Sequence, residues 1–301
     1  MRRRYHDLSA LPLARPAEVL RGTVLVTVPH MDDEILGCGG ALAGLPDKRR
    51  VHLLYVTSGR GSENLAMPGI RVSTAIDMGA IRKQESLAAL ARLGIPAEQA
   101  HFLEIPDYQV RAYASRVRAE FARLLETVKP AWVLTPFRYD RHRDHVALSR
   151  IVRTRLAEMH PAPGLLEYFV YYRWRMLPAR DIRCYCRPEH LVGFDITPQR
   201  ALKRQALEAF TSQTTLYFPW QTRPVLSAEL LDEVARGPEW FLRAPPLAPD
   251  RTLFTLAPAR LRMCHTVEPW LKRRKDQTLF LIDRVKRRRK RRAVDPQPGK
   301  C

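Results

Sequence analysis

The 301-residue sequence predicts an α/β fold: a Rossmann-like, mainly parallel sheet flanked by helices, with a C-terminal extension. Residues 23–28, 51–57 and 131–135 are continuous β-branched and aliphatic runs, the pattern of strands buried on both faces. Segments with a 3.6-residue apolar period separate them, so the chain reads as strand, helix, strand, and such crossovers are right-handed. A third observation is polar. His30, Asp32 and Asp33 stand where the first strand ends, before Gly37-Cys38-Gly39-Gly40 and a helix. Ligands of open α/β sheets sit outside the carboxyl ends of strands. The cluster therefore reads either as a divalent-metal site with a carboxylate base beside it, or as a polar turn in which Asp32 or Asp33 caps the helix.

Taken in order, residues 1–21 form a loose N-terminal arm, and residues 22–215 form the core. A helix over 36–44 stops at Pro46-Asp47-Lys48, and the second strand, 51–57, closes with Ser58-Gly59-Arg60-Gly61-Ser62. Residues 64–79 read as a loop over the strand ends. The helix over 82–93 buries Leu87, Leu90, Ala91 and Leu93 and stops at Gly94. A short strand over 101–105 leads to Pro106-Asp107-Tyr108. The helix over 114–128 carries Val117, Phe121, Leu124 and Leu125 on one face. Lys129-Pro130 ends it before the fourth strand, 131–135. Further strands are expected over 165–174 and 191–196, and then a helix opened by Pro198. Beyond Leu216 the pattern weakens: 216–268 reads as the remainder of the domain and 269–301 as a basic tail.

The fourth strand ends in a second cluster, Asp140, His142, Asp144 and His145, again at a strand-to-helix junction. In a parallel sheet both clusters lie on one edge. Catalytic zinc typically takes three protein ligands and leaves one position open. His30 and Asp33 from one loop and a histidine from the other make such a set.

Composition bounds the rest. Fifty-one Lys and Arg against 31 Asp and Glu give a net charge of +20, which favours an anionic partner or surface. The five cysteines are scattered and odd in number, unlike a disulfide framework, and Cys184-Tyr185-Cys186 reads as alternating strand residues. The basic start lacks a signal peptide's apolar run, and no stretch approaches eighteen apolar residues. A reducing, cytoplasmic setting is expected. No Gly-x-Gly-x-x-Gly fingerprint points to a dinucleotide.

Pro29-His30-Met31-Asp32-Asp33-Glu34 and His142-Arg143-Asp144-His145 resemble the two signature motifs of the PIG-L/LmbE-like zinc-dependent de-N-acetylases. Thr57-Ser58-Gly59, Arg82-x-x-Glu85, Leu93-Gly94-Ile95, Pro106-Asp107, Lys129-Pro130 and Lys203 through Ser212-Gln213 follow the family's order, so the resemblance spans residues 22–215. It implies a hydrolase of linear amides that removes the acetyl group of an N-acetylglucosamine-type sugar in a glycolipid or glycoconjugate, by attack of metal-activated water. It assigns His30, Asp33 and His145 to the metal, Asp32 to the base, and His142 to the oxyanion or leaving amine. It also implies that Asp144 hydrogen-bonds an imidazole, taken as His142, and that Arg82 and Asp107 contact substrate. The alternative for Arg82-x-x-Glu85 is an i,i+3 ion pair on a helix. The implied cofactor is Zn2+, and a His2Asp donor set also accepts Fe2+. The chain departs from the family at Met31, where relatives usually carry Pro, and at Asp140, where some carry Tyr.

Twelve of the 23 residues from Trp270 to Arg292 are Lys or Arg, with Leu271, Leu279, Ile282 and Val285 on one side of a helical wheel. This tail reads as a peripheral contact with anionic membrane or as a solvated tail, and no specific nucleic acid is expected. The competing class for the whole chain is a non-enzymatic, basic membrane- or nucleic-acid-binding protein with a vestigial metal site.

Overall fold

The computed structural model describes residues 6–61, 76–172, 181–218, 221, 223–257, 259, 260, 267, 274 and 278. The expected basic tail helix lies largely outside them, as do residues 173 and 174 of the strand expected over 165–174. That strand ends at Tyr168, because the N–H groups of Val170 and Tyr171 turn to Asp140 instead of a neighbouring strand.

Among the described residues one eight-stranded sheet organises the chain, in the order β1-β7-β8-β6-β5-β2-β3-β4. The strands are β1 (Leu13–Ala14), β2 (Val24–Val28), β3 (Val51–Thr57), β4 (Ala100–Ile105), β5 (Trp132–Pro136), β6 (Gly164–Tyr168), β7 (Leu191–Phe194) and β8 (Glu239–Arg243). All pairings are parallel except those of β8, which runs antiparallel to both β6 and β7. The principal helices are α2 (Asp33–Ala43), α3 (Met78–Arg92), α4 (Ala114–Val128), α5 (Arg143–Ala157), α6 (Arg200–Glu208) and α8 (Ala228–Arg236), with short α1 (Pro16–Val19), α7 (Thr211–Thr214) and α9 (Asp250–Leu253).

Strand side chains alternate between two cores. Val24, Val26, Val28, Leu53 and Tyr55 pack with α2, α3, α6 and α8, whereas Leu25, Leu54, Val56 and Val133 pack with α4 and α5. Burial on both faces is why these strands read as unbroken apolar runs.

Three expectations are corrected. The N-terminal arm is not loose: Leu13 and Ala14 pair with Gly193 and Phe194. Beyond Leu216, where the sequence pattern weakens, the chain still supplies a strand, β8, which opens on the buried Glu239. Cys184 and Tyr185 lie in a 3-10 turn, Ile182–Tyr185, not a strand, because Asp181 accepts the Arg183 N–H and starts the turn.

From β2 the chain builds β3 and β4 on one side, then crosses to β5 on the other, so the strand order reverses between β2 and β5. These two are hydrogen-bonded neighbours, with Val24, Leu25 and Val26 opposite Trp132, Val133 and Leu134. Both signature clusters thus flank the crevice where ligands bind in such sheets.

Helix α2 leaves this crevice pressed tightly onto the sheet. A Cβ at Gly37 would meet the Tyr168 ring at 2.3 Å, and one at Gly40 would meet Ile196 at 2.7 Å. A buried ion pair braces the same helix. Glu239 accepts the N–H groups of Gly40 and Ala41, both at 2.7 Å, while Lys203 Nζ donates to the Leu36 carbonyl and to Glu239.

On β3 and β4, His52 and His101 stack at 6.0 Å with a 9° interplanar angle, and His52 Nδ1 and His101 Nε2 are buried without partners. Burial lowers both pKa values, reinforced at His52 by its neighbour and at His101 by Arg123. A histidine whose folded pKa lies below its unfolded value contributes stability above the unfolded pKa, and loses it as pH falls. The expected outcome is that melting temperature drops less between about pH 7 and about pH 5 in a His52→Leu/His101→Leu variant than in the wild type; equal slopes by calorimetry refute the assignment.

Candidate metal centre

The first loop is shaped by its own polar groups. The Pro29 carbonyl accepts from Thr57 N–H and Oγ1, tying the end of β2 to the end of β3. Asp33 Oδ2 turns back to accept the His30 N–H at 3.0 Å. Asp32 occupies the N-cap position of α2 but makes no capping hydrogen bond, and its φ of 156° and ψ of −21° form an uncommon non-glycine conformation. Such strain, of order 1–3 kcal/mol, persists where the surroundings demand it. The capping alternative for the acidic pair therefore fails at Asp32: its carboxylate faces the Arg82 guanidinium, Oδ2 to Nη2 3.1 Å.

The second loop is clamped from behind. Arg138 lies in a buried pair with Glu167 at 2.6 Å and also donates to the Ala248 carbonyl. Beyond it, Asp140 accepts the N–H groups of Val170 and Tyr171. His142 caps α5, its Nδ1 accepting the Asp144 N–H at 3.2 Å, and His145 follows one turn into the buried face.

The two loops bring three donor atoms together. His30 Nδ1, Asp33 Oδ2 and His145 Nε2 are mutually 3.1 Å apart. Tetrahedral zinc with bonds of about 2.0–2.1 Å separates its ligands by about 3.3 Å, so the triangle fits a divalent cation. The far nitrogens agree. His30 Nε2 meets Asp144 Oδ2 at 3.3 Å and His145 Nδ1 meets Asp140 Oδ2 at 3.1 Å. Protons on those nitrogens leave the inward lone pairs free, the carboxylate–histidine arrangement that supports metal ligands.

Electrostatics point the same way. Burial disfavours charge on His30, but the hydrogen bonds to Asp144 and Asp33 outweigh it and raise its pKa to about 10. Burial at His145 is likewise outweighed by Asp33 and Asp140, giving about 9. Asp33 is held below the usual carboxylate range against its burial by the two imidazoles. The cluster thus draws positive charge, which protons or a cation can supply.

The remaining predicted residues divide. Asp32 is raised by burial, with Arg82 opposing. His142 lies in the cluster, 4.4 Å edge-on from His30, but Asp144 stands nearer His30 (3.3 Å) than His142 (3.8 Å). The expected Asp144–His142 pairing is therefore corrected to Asp144–His30, and burial together with the neighbouring imidazoles lowers the His142 pKa. Arg82 and Glu85 do not pair with each other. Arg82 binds Asp32 and the Met31 carbonyl and is 2% exposed, whereas Glu85 accepts from Thr211 and Ser212. Arg82 therefore reaches any substrate through Asp32. Asp107 accepts the Gly61 N–H at 2.8 Å and lines a cavity of about 330 Å³ with Ser58, Arg60 and Tyr108.

Two contributors escape a reading of the sequence. Asp140 orients His145, a role that its place in the second cluster, five residues ahead of His145, does not reveal. Glu34 accepts from Tyr55 Oη and the Asp32 N–H, and burial with nearby Asp32 raises its pKa to about 8.

Comparison with known proteins bears out the resemblance. Residues 25–156 match the family model described as PIG-L: GlcNAc-PI de-N-acetylase. No curated protein matches the chain. Among solved structures, it is similar to N,N'-diacetylchitobiose deacetylase from Pyrococcus horikoshii, with 20% identity over 78% of this chain and 88% of the other, and a TM-score of 0.55. A deacetylase of the teicoplanin biosynthesis pathway matches at 18% identity over 74% and 98%, with a TM-score of 0.55. The 4-carboxy-2-hydroxymuconate hydratase of Pseudomonas putida matches at 20% over 71% and 83%, with a TM-score of 0.51. At these identities the structures establish a shared fold.

His30, His142 and His145 can also be drawn as a donor group within 4.8 Å, but His142 Nδ1 already accepts from Asp144. Zinc content measured after dialysis is expected to fall to background in Asp33→Ala and His145→Ala and to stay stoichiometric in His142→Ala; zinc kept in Asp33→Ala and lost in His142→Ala replaces Asp33 with His142 as ligand.

Proposed function

We propose that this chain, a PIG-L-type protein across residues 25–156, is a metal-dependent hydrolase that removes the acetyl group from an N-acetylglucosamine-type sugar in a glycolipid or glycoconjugate. The observation that carries this reading is the His30–Asp33–His145 triangle, backed by Asp144 and Asp140, with Asp32 beside it and outside it.

A divalent cation, zinc in the first instance, supplies Lewis acidity there, polarising the acetamide carbonyl and acidifying a water. Asp32 is the base. It adjoins the donor triangle, and burial sets its pKa above the ordinary carboxylate value, nearer the range where a carboxylate accepts and returns a proton. Arg82 fixes the carboxylate from behind. As water adds to the carbonyl, Asp32 takes its proton; as the C–N bond breaks, the same proton goes to the amine, so acetate and a free amino sugar leave.

His142 is neutral in this setting. Its Nδ1 accepts from Asp144, so its proton sits on Nε2, a donor for the oxyanion or for the departing nitrogen. Asp107, with Ser58 and Arg60, offers hydrogen-bonding groups to sugar hydroxyls. The hydratase neighbour shows that the fold admits other water chemistry. Asp32 and the three-donor cluster, which lie within the residues matched by the PIG-L model, favour amide hydrolysis. They also argue against a vestigial site.

Among the described residues no helix is long and apolar enough to cross a membrane. The basic stretch from Trp270 to Arg292 supports a cytoplasmic protein that touches anionic lipid peripherally, where a lipid-linked sugar would be met.

The deciding experiment is acetate release by the zinc-loaded chain from N-acetylglucosamine linked to inositol, nucleotide, thiol-precursor and polyprenyl groups. One of these is expected to be hydrolysed, and Asp32→Ala to lose roughly 10²–10⁴-fold in kcat with zinc retained. No acetate from any, or an active Asp32→Ala protein, sinks the proposal.

A further inference from the structure

Four non-glycine residues among those described have positive φ: Asp32, Glu104, Tyr108 and Lys129. Asp32 belongs to the site, and Lys129 is a left-handed C-cap of α4, a common use of that conformation. Tyr108, at φ +67°, is a bulky residue where glycine or asparagine is usual.

The backbone accounts for the conformation. Tyr108 N–H donates to Asp144 Oδ2 at 2.6 Å and Val110 N–H to Oδ1 at 3.2 Å, so the loop after β4 fixes the carboxylate that holds His30. A glycine would present the same N–H with no steric conflict, so the backbone bonds do not call for a tyrosine. What the side chain adds is a ring 5.0 Å from the His142 imidazole, tilted by 42°, with the Arg143 guanidinium over it at 5.1 Å. Among the described residues the other ring neighbours of His142 are His30 and His145, which carry two of the three donor atoms. Among the described residues one hydrogen bond, from Asp144 N–H, anchors His142 Nδ1.

Resting on the de-N-acetylase reading above, we propose that Tyr108 is a positioning residue. Its ring forms the wall of His142 opposite the metal ligands and holds the imidazole in the rotamer that keeps Nδ1 on Asp144 and leaves Nε2 for the substrate. The strained backbone is retained because it puts that ring in place.

The test compares Tyr108→Gly, Tyr108→Asn and Tyr108→Phe in the full zinc-loaded chain. Glycine and asparagine both tolerate the backbone, so their melting temperatures are expected to match or exceed the wild type, with zinc stoichiometry unchanged. Both are expected to lose kcat by roughly ten- to a hundredfold with KM within about twofold, as for a misplaced catalytic group, whereas Tyr108→Phe, which keeps the ring, loses less than either. An unchanged kcat, or a rise in KM alone, overturns the proposal, the latter making Tyr108 a substrate wall. A lowered melting temperature in both Gly and Asn variants makes it structural. Crystal structures of these variants need no substrate: a second His142 rotamer is expected, and an unaltered single rotamer refutes the proposal. A wild-type chain that releases no acetate sinks the proposed activity, while the rotamer still decides the role of Tyr108.

Discussion

The structure turns on three atoms held 3.1 Å apart, His30 Nδ1, Asp33 Oδ2 and His145 Nε2. Leaving both imidazoles neutral places two lone pairs and a carboxylate oxygen against one another. Protonating both places two N–H groups face to face. One proton shared between the rings, or a single divalent cation that accepts all three donors at once, relieves the conflict. The outer carboxylates of Asp144 and Asp140 exclude easy escapes by holding each ring from its far side.

Keeping atoms from two loops in that relation needs a stiff frame, and the frame is built from unusual contacts. Helix α2 can lie against Tyr168 and Ile196 only because Gly37 and Gly40 lack side chains. Lys203 and Glu239 meet its backbone with full charges, and removing one partner of such a buried pair costs about 3–5 kcal/mol. The Arg138–Glu167 pair does the same for the second loop. The charges that look catalytic by type are in these cases scaffolding for the ones that are proposed to act.

The parallel strands were legible in the sequence because they are buried on both faces, and the two clusters because histidines and aspartates have little reason to recur at strand ends. What was not legible depended on partners far away. Two residues, Leu13 and Ala14, become a strand only by pairing with β7. Glu239 breaks the apolar pattern of β8, and its reason, Lys203 and the N–H groups of α2, lies 36 to 199 residues off. Arg82 and Glu85 have the spacing of an ion pair, yet each is drawn to a stronger claim on opposite sides, Asp32 and Ser212. Which imidazole Asp144 serves could not be read either, since His142 adjoins it in sequence and His30 arrives only through the sheet.

The antiparallel strand β8 has a consequence for how the chain comes together. Because β8 sits between β6 and β7, the half-sheet holding β7 and β1 joins the rest through residues 239–243. During synthesis the first strand must therefore wait for nearly the last, while β2 to β6 can pair as they emerge. Such distant closure is slow. Until it occurs, the backbone of α2 at Gly40 and Ala41 lacks the carboxylate that later covers it, so the loop that opens α2 is made early and is among the last parts to become rigid.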